Sequence, residues 1–207
     1  NDCRIYTDLN ENVAVIKNGI ILAGHSYQQV NGKLEKLEKN SIIDEGTPYL
    51  IKKIDGKILN LLQGSSAENY FHFMFDILPK IFLAKSIINL DNVDYFLVNK
   101  QIDWQIKIFE SIGIDRRRLL DAQNNRHIKV KNIYSLTHPW YLEGYIQEQV
   151  VYLPAWIIFE LRKYFLKKIS PDKKLKIFID RSNSKYNHCK IMNNAELTNF
   201  LKNQRFL

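Results

Sequence analysis

Residues 57–98, KILNLLQGSSAENYFHFMFDILPKIFLAKSIINLDNVDYFLV, decide the fold of this chain. The segment opens on an apolar run of strand type that ends in a Gly64-Ser65-Ser66 loop. A helical stretch follows, from near Ala67 to about Ile88, with Ser65 or Ser66 placed to cap its first amides. Glu68 falls in the first turn, where a negative charge complements the helix dipole. Pro79 lies inside the stretch and cannot donate a backbone hydrogen bond, so a kink or interruption is expected there. VDYFLV, from Val93, then returns to strand. Strand, helix and strand in succession form the unit from which parallel sheets are built.

The alternation continues towards the C-terminus. IDWQIKIFESIG, from Ile102, places Trp104, Ile108 and Ile112 on one helical face. RRRLLDA and HIKVKNIYSL read as two further strands, and THPWYLEGY as a turn-rich patch. A long helix is expected over 155–168, then a strand KIFID from Lys176, then a helix NNAELTNFLKNQ capped by Asn193 or Asn194. Towards the N-terminus the chain is β-rich. VAVIK and IILAG flank Asn18-Gly19, a pair suited to the positive φ angles of a type I′ hairpin turn. Asn31-Gly32 repeats the signal. The expected architecture is α/β, with a largely parallel, Rossmann-like sheet. It has an N-terminal domain over 1–155 that begins with a β-hairpin region over 1–65. A linker helix and the opening elements of a second Rossmann-like domain occupy 156–207.

Composition narrows the partners. Hydrophobic residues make up 45% and charged residues 25%, as in soluble globular chains. No apolar run approaches the roughly 18 residues of a membrane span. The net charge of +8 is local: residues 1–158 carry 18 Lys/Arg against 18 Asp/Glu, and residues 159–207 carry 12 against 4. A basic last quarter suits a phosphate-rich ligand such as a nucleoside diphosphate sugar, as well as a simple solvated helix face. No nucleic-acid motif accompanies it, which argues against a nucleic-acid partner. Cys3 and Cys189 have no metal-ligand spacing, and the sequence carries no Gly-rich phosphate loop, nucleophile elbow or Asp-x-Asp pair. Neither a metal nor a cofactor is expected. The start, NDCRIYTDLN, has no initiator Met or signal peptide, so the chain reads as an excised piece or a processed product.

The chemistry concentrates in ENYFHFMFDILPK. Glu68, His72 and Asp76 recur at i, i+4 and i+8, near one face of a helix, with Asn69 one step round. A histidine one turn from a carboxylate is an oriented base, since the carboxylate fixes the tautomer and raises the basicity. The same spacing also describes a satisfied core histidine. Arg181 follows KIFID directly, at the expected carboxyl end of a parallel strand, where its planar fork can clamp a diphosphate.

Together these residues resemble glycosyltransferase family 61. That family's Asn-aromatic-aromatic-His segment leads into an Asp and a Leu-Pro, the order found in NYFHFMFDILPK. Its later strand ending in Arg, and a helix opening on Asn and Glu-Leu, correspond to KIFIDR and KIMNNAEL. HPWY, from His138, lies between the two. The resemblance spans the chain from about Leu61 onwards. It implies an inverting glycosyltransferase with two Rossmann-like domains in a GT-B arrangement. The implied donor is a nucleotide sugar, commonly linked to uridine diphosphate, and the acceptor a glycan or glycoprotein. Asn69, His72 and Asp76 take the catalytic positions; Glu68, Arg181, Lys190 and Asn193 take the substrate-binding ones.

Two departures stand out. Cys189 occupies the place of a second family Arg, leaving Lys190 or His188 as the neighbouring substitute. The family's later His-Gly-Ala-Gly donor segment is not in the sequence, so a transferase truncated before its donor-site half is expected. The resemblance places the protein in the cytoplasm of a bacterial source or the secretory lumen of a eukaryotic one, and leaves room for peripheral membrane association. The alternative is a non-catalytic carbohydrate-binding or scaffold domain that uses Trp104, Trp140, Trp156 and the eleven tyrosines as stacking surfaces.

Overall fold

The computed structural model describes residues 3–9, 11–30, 33–35, 37–63, 69–140, 151–166, 176–180 and 191–206. It divides into two compact units, Asn1–Phe165 and Leu166–Leu207. The first unit is mixed α/β, built on one open sheet. Its strands are β1 (Cys3–Thr7), β2 (Asn12–Lys17), β3 (Ile20–Ile21), β4 (Tyr27–Val30), β5 (Lys33–Glu35), β6 (Lys52–Asn60), β7 (Tyr95–Val98), β8 (Leu119–Asp121) and β9 (His127–Ser135). Their order is β5-β4-β2-β1-β9-β6-β7-β8, with β3 paired to β2.

The Asn18-Gly19 hairpin forms as its chemistry requires. Asn18 and Gly19 hold φ of 50° and 79°, and Lys17 faces Ile20 across the turn. The other Asn-Gly pair lies outside the described residues, between the antiparallel partners β4 and β5.

A largely parallel sheet is realised in one half only. β9, β6, β7 and β8 run parallel, while β1, β2, β4 and β5 are antiparallel. The hairpins do not stand ahead of the domain as a separate region. β1 pairs with β2 on one side and with β9 on the other, Ile5 facing Ile128, which fuses the halves into one sheet. The reason is an edge: once β2 has paired, β1 still offers a row of free backbone groups, and β9 satisfies them.

Within the parallel half the chain lays down β6, steps outward to β7 and β8, and returns to the far side of β6 as β9. The strand order reverses between β6 and β9, and in open α/β sheets the crevice outside the carboxyl ends at such a point is where ligands bind.

Alternate residues of these strands enter different cores. Leu59, Phe96 and Val98 pack against the helices, whereas Ile58, Leu62 and Leu97 pack with Val13, Tyr27 and Leu34 of the hairpin half. The antiparallel strands thus supply cover that helices supply in a doubly wound sheet. After the single turn α1 (Ile42–Glu45), the long helix α2 covers 70–87: α-helical over Tyr70–His72, π-helical over Phe73–Ile77, and α-helical again over Leu78–Ile87. Helix α3 (Asp103–Ser111) buries Ile106 and Phe109, with Trp104, Ile108 and Ile112 half-buried beside them, so the buried face is centred one step round from the expected one. Helix α4 (Ala155–Phe165), expected as a linker to a second domain, seats Ile157 and Leu161 in the same core.

In the second unit, helix α5 (Asn194–Asn203) forms as expected. KIFID does not form the expected strand: Lys176 makes a single parallel bridge to Phe206, and Ile177 and Ile179 are exposed. A strand needs a ladder of partner groups, and among the described residues only Phe206 offers one.

Candidate functional site

Helix α2 begins later than the loop serines would have set it. Asn69 is its cap, its Oδ1 accepting the amides of Phe71 at 2.9 Å and His72 at 3.3 Å. Glu68 lies outside the described residues, ahead of this cap, and the helix proper opens at Tyr70. Asn69 therefore positions the first turn through its side chain, and His72 is the first functional group that turn presents.

One turn on, the helix widens. The Leu78 amide bonds back to the Phe73 carbonyl, five residues away, and Pro79 has no amide to offer the Phe75 carbonyl. The indole Nε1–H of Trp140 takes that vacant place, donating to the Phe75 carbonyl at 2.8 Å and to Asp76 Oδ1 at 2.9 Å. The proline expected to kink the helix is thus accommodated by a π turn and a tryptophan from a distant loop. Single π turns of this kind occur frequently at functional sites.

Asp76, 1% exposed, is the centre of the cluster. Its Oδ2 lies 2.7 Å from Nδ1 of His72, and its Oδ1 lies 3.6 Å from Nε2 of His138 in addition to the indole. Burial by itself would push this carboxyl up; the imidazoles of His138 and His72 outweigh it and hold Asp76 down at about 2. An ionised Oδ2 accepts only, so His72 donates through Nδ1, and the neutral form of the ring has its lone pair on Nε2. The His72 side chain is 16% exposed against 2% for Asp76, so the imidazole is the more accessible member of the pair. The Gln29 amide nitrogen lies 3.5 Å from Nδ1 and 3.4 Å from Nε2, a contact along the ring rather than a directed bond to either nitrogen.

His138 has the opposite tautomer. The Trp140 backbone amide donates to its Nδ1 at 3.3 Å, which leaves the ring proton on Nε2, towards Asp76. Burial lowers its pKa against the pull of the Asp76 charge. His138 thus turns its N–H towards the carboxylate at 3.6 Å, beyond hydrogen-bond reach, and His72 makes the close contact at 2.7 Å.

Beneath this pair sits a buried amine. Lys80 is 1% exposed and donates to the Leu62 carbonyl at 2.8 Å and to Tyr27 Oη at 2.9 Å. Burial pulls its pKa down to about 7, partly opposed by the charge of Asp76. The Tyr27 hydroxyl lies 2.6 Å from the Leu62 carbonyl and 2.8 Å from Gln63 Oε1, alternative acceptors for its single proton, and Gln63 Nε2 donates to Gln29 Oε1 at 3.2 Å. Gln63 also receives through its backbone amide the anchorage of Asn99 Oδ1, at 3.0 Å. The network runs from Lys80 to Gln29, which lies against the His72 ring, over the carboxyl ends of β6, β7 and β9 at the reversal of strand order.

A cavity of about 540 Å³ adjoins the cluster, with Tyr27, His138 and Trp140 among its lining. Among the described residues no group of three His, Cys, Asp or Glu side chains could hold a metal ion.

Of the residues singled out from sequence, Asn69, His72 and Asp76 come together as one unit. Asn193 stands at the cap of α5 in the second unit, where its side chain makes no cap bond and its Nδ2 lies 3.5 Å from Glu196 Oε2. Arg181 and Lys190 lie outside the described residues. Sequence reasoning passed over Lys80, Gln29 and Gln63, treated His138 only as part of HPWY, and counted Trp140 and Tyr27 only in that segment or among the aromatic stacking surfaces. For Lys80 a signal existed, since it extends the His72, Asp76 spacing by another i+4 step. Neither protein-family models nor curated proteins nor solved structures match this chain.

Proposed function

We propose that this chain is the acceptor-side portion of an inverting glycosyltransferase, similar to family 61, in which His72 is the general base. The observation that carries the reading is the polarised pair: Asp76 ionised and buried, Nδ1 of His72 bound to it at 2.7 Å, and the imidazole more exposed than the carboxylate. In transfer, the acceptor hydroxyl gives its proton to His72 Nε2 as its oxygen bonds to the anomeric carbon. The bond from that carbon to the diphosphate breaks, inverting the centre, and the nucleoside diphosphate leaves with the electron pair. Asp76 stabilises the imidazolium formed, and Trp140 and His138 hold Asp76 in place.

On this reading the parallel half of the sheet is the Rossmann-like acceptor domain of a GT-B arrangement. Residues 166–207 open the donor domain, and Arg181 and Lys190 meet the diphosphate of a uridine-linked sugar. A carbohydrate-binding domain without catalysis is the second reading, favoured by the cavity beside the pair. A panel of nucleotide sugars, assayed for binding and for transfer to glycan acceptors, separates the two. His72→Ala is expected to lower transfer by about 10²–10⁴-fold with the melting temperature held, since that is the usual contribution of a positioned base. An unchanged rate would sink the role given to His72. Glycan binding with no nucleotide affinity would favour the second reading.

A further inference from the structure

The cavity next to the pair has a chemistry of its own. Its volume, about 540 Å³, lies in the range that encloses small ligands. Tyr27, His138 and Trp140 give it ring surfaces, Thr137 a hydroxyl, and Glu35 and Glu38 two carboxylates. Apolar ring faces beside hydrogen-bonding groups match the alternation of C–H and O–H faces on a pyranose. Among the described residues no lysine or arginine lines it. Glu35 is paired with Lys33 at 3.4 Å and Lys39 at 3.2 Å, which leaves Glu38 as the carboxylate without an ion pair among the described residues. A phosphate or uronate would meet that Glu38 carboxylate here, whereas a neutral or amino sugar would not be repelled by it. Two of the lining side chains, His138 and Trp140, also contact Asp76, through the 3.6 Å and 2.9 Å approaches described above.

We infer that this cavity is a binding site for a neutral or amino-sugar unit of a glycan, coupled to the His72–Asp76 pair through Trp140 and His138. On the transferase reading, on which its role as an acceptor subsite rests, the donor diphosphate binds elsewhere.

The test titrates the whole chain with di-N-acetylchitobiose, the corresponding diglucosamine, a glucuronate-terminated disaccharide and, separately, uridine diphosphate. Binding is followed by calorimetry and by the indole N–H resonance of Trp140, assigned by its loss in Trp140→Phe. The first two sugars are expected to bind and to shift that resonance, with the uronate at least 10-fold weaker. Ala23→Trp, at an exposed position on the cavity lining, is expected to weaken the sugars 10-fold or more and to leave uridine diphosphate unaffected. Glu38→Gln is expected to narrow the preference for diglucosamine over the uronate. Sugar binding that survives Ala23→Trp, or a uronate that binds as well as the amino sugar, overturns the inference. Nucleotide binding with no sugar binding overturns it while leaving the transferase reading standing. Neither ligand binding overturns both.

Discussion

Two histidines mark the two ends of the parallel strands, and they have been given opposite chemistry. His72 lies over the carboxyl ends, bound to a carboxylate and more exposed than that partner. His127 begins β9, at the amino end, and is 2% exposed. Its Nδ1 donates to the Tyr49 carbonyl at 2.8 Å, its Nε2 is buried without a partner, and Tyr6 stands edge-on to the ring at 5.6 Å. Burial lowers the pKa of His127 and keeps it neutral. His127 lines a cavity of about 550 Å³, whereas the cavity of about 540 Å³ at the other end is lined not by His72 but by His138 and Trp140, which contact Asp76. What separates the two histidines is the partner. A neutral carbonyl orients the His127 ring, whereas a buried, ionised carboxylate orients the His72 ring and sets a negative charge beside it.

The largest expected effect comes from removing that partner. Asp76→Asn keeps the shape but presents an amide where His72 Nδ1–H requires an acceptor, and the ring can settle in the wrong tautomer. Transfer is expected to fall about 10³–10⁴-fold, as when an orienting carboxylate is lost from a catalytic triad. The comparison breaks if Asp76→Asn retains near-normal turnover.

Next is Lys80, whose amine has a folded pKa of about 7 against an ordinary value of 10.5. Between these values the unfolded chain holds the proton and the folded chain does not. Stability should therefore rise with pH from about 7 towards 10.5, by up to about 1.4 kcal/mol per unit. Below pH 7 both states are protonated and the cost of burying the charge is constant. Urea midpoints at successive pH values should show this slope in the wild type and its loss in Lys80→Met. A slope that persists in the variant assigns it to another group.

The smallest effects sharpen the contrast. Asn69→Ala should cost about 1 kcal/mol of stability through the lost cap, with a modest loss of activity as the first turn frays. His127→Phe removes one neutral hydrogen bond, a change of about 0.5–1.5 kcal/mol. Sugar and nucleotide affinities should stay at wild-type values in that variant, measured by the same titrations. A drop in either would mean that the amino end is functional too.

Much of this was legible before any coordinates. Asn18-Gly19 announced its turn because the φ requirement is local, and the His72, Asp76 spacing announced the pair because helical neighbours are local. Asn69 also stood out, although as a site residue rather than as the helix cap it turns out to be. What could not be read is whatever arrives from elsewhere in the chain. Trp140 meets the Phe75 carbonyl across 65 residues and Tyr27 meets Lys80 across 53, and no periodicity encodes either. KIFID failed as a strand for the same reason in reverse, since its pattern is good but its ladder partners are missing among the described residues.

The seam between β1 and β9 carries a consequence for how the chain is made. β1 and β2 leave the ribosome well before β9 and can pair at once, and β3 folds onto β2 through the tight Asn18-Gly19 turn. The outer edge of β1 then stays open until His127–Ser135 has been synthesised, because that segment alone closes it. Closure is a long-range event, slow relative to hairpin formation, and an unpaired strand edge is the surface on which nascent chains associate with one another. Translation that halts before β9 should leave a sticky, hairpin-bearing intermediate, and holding chaperones would be needed over that interval.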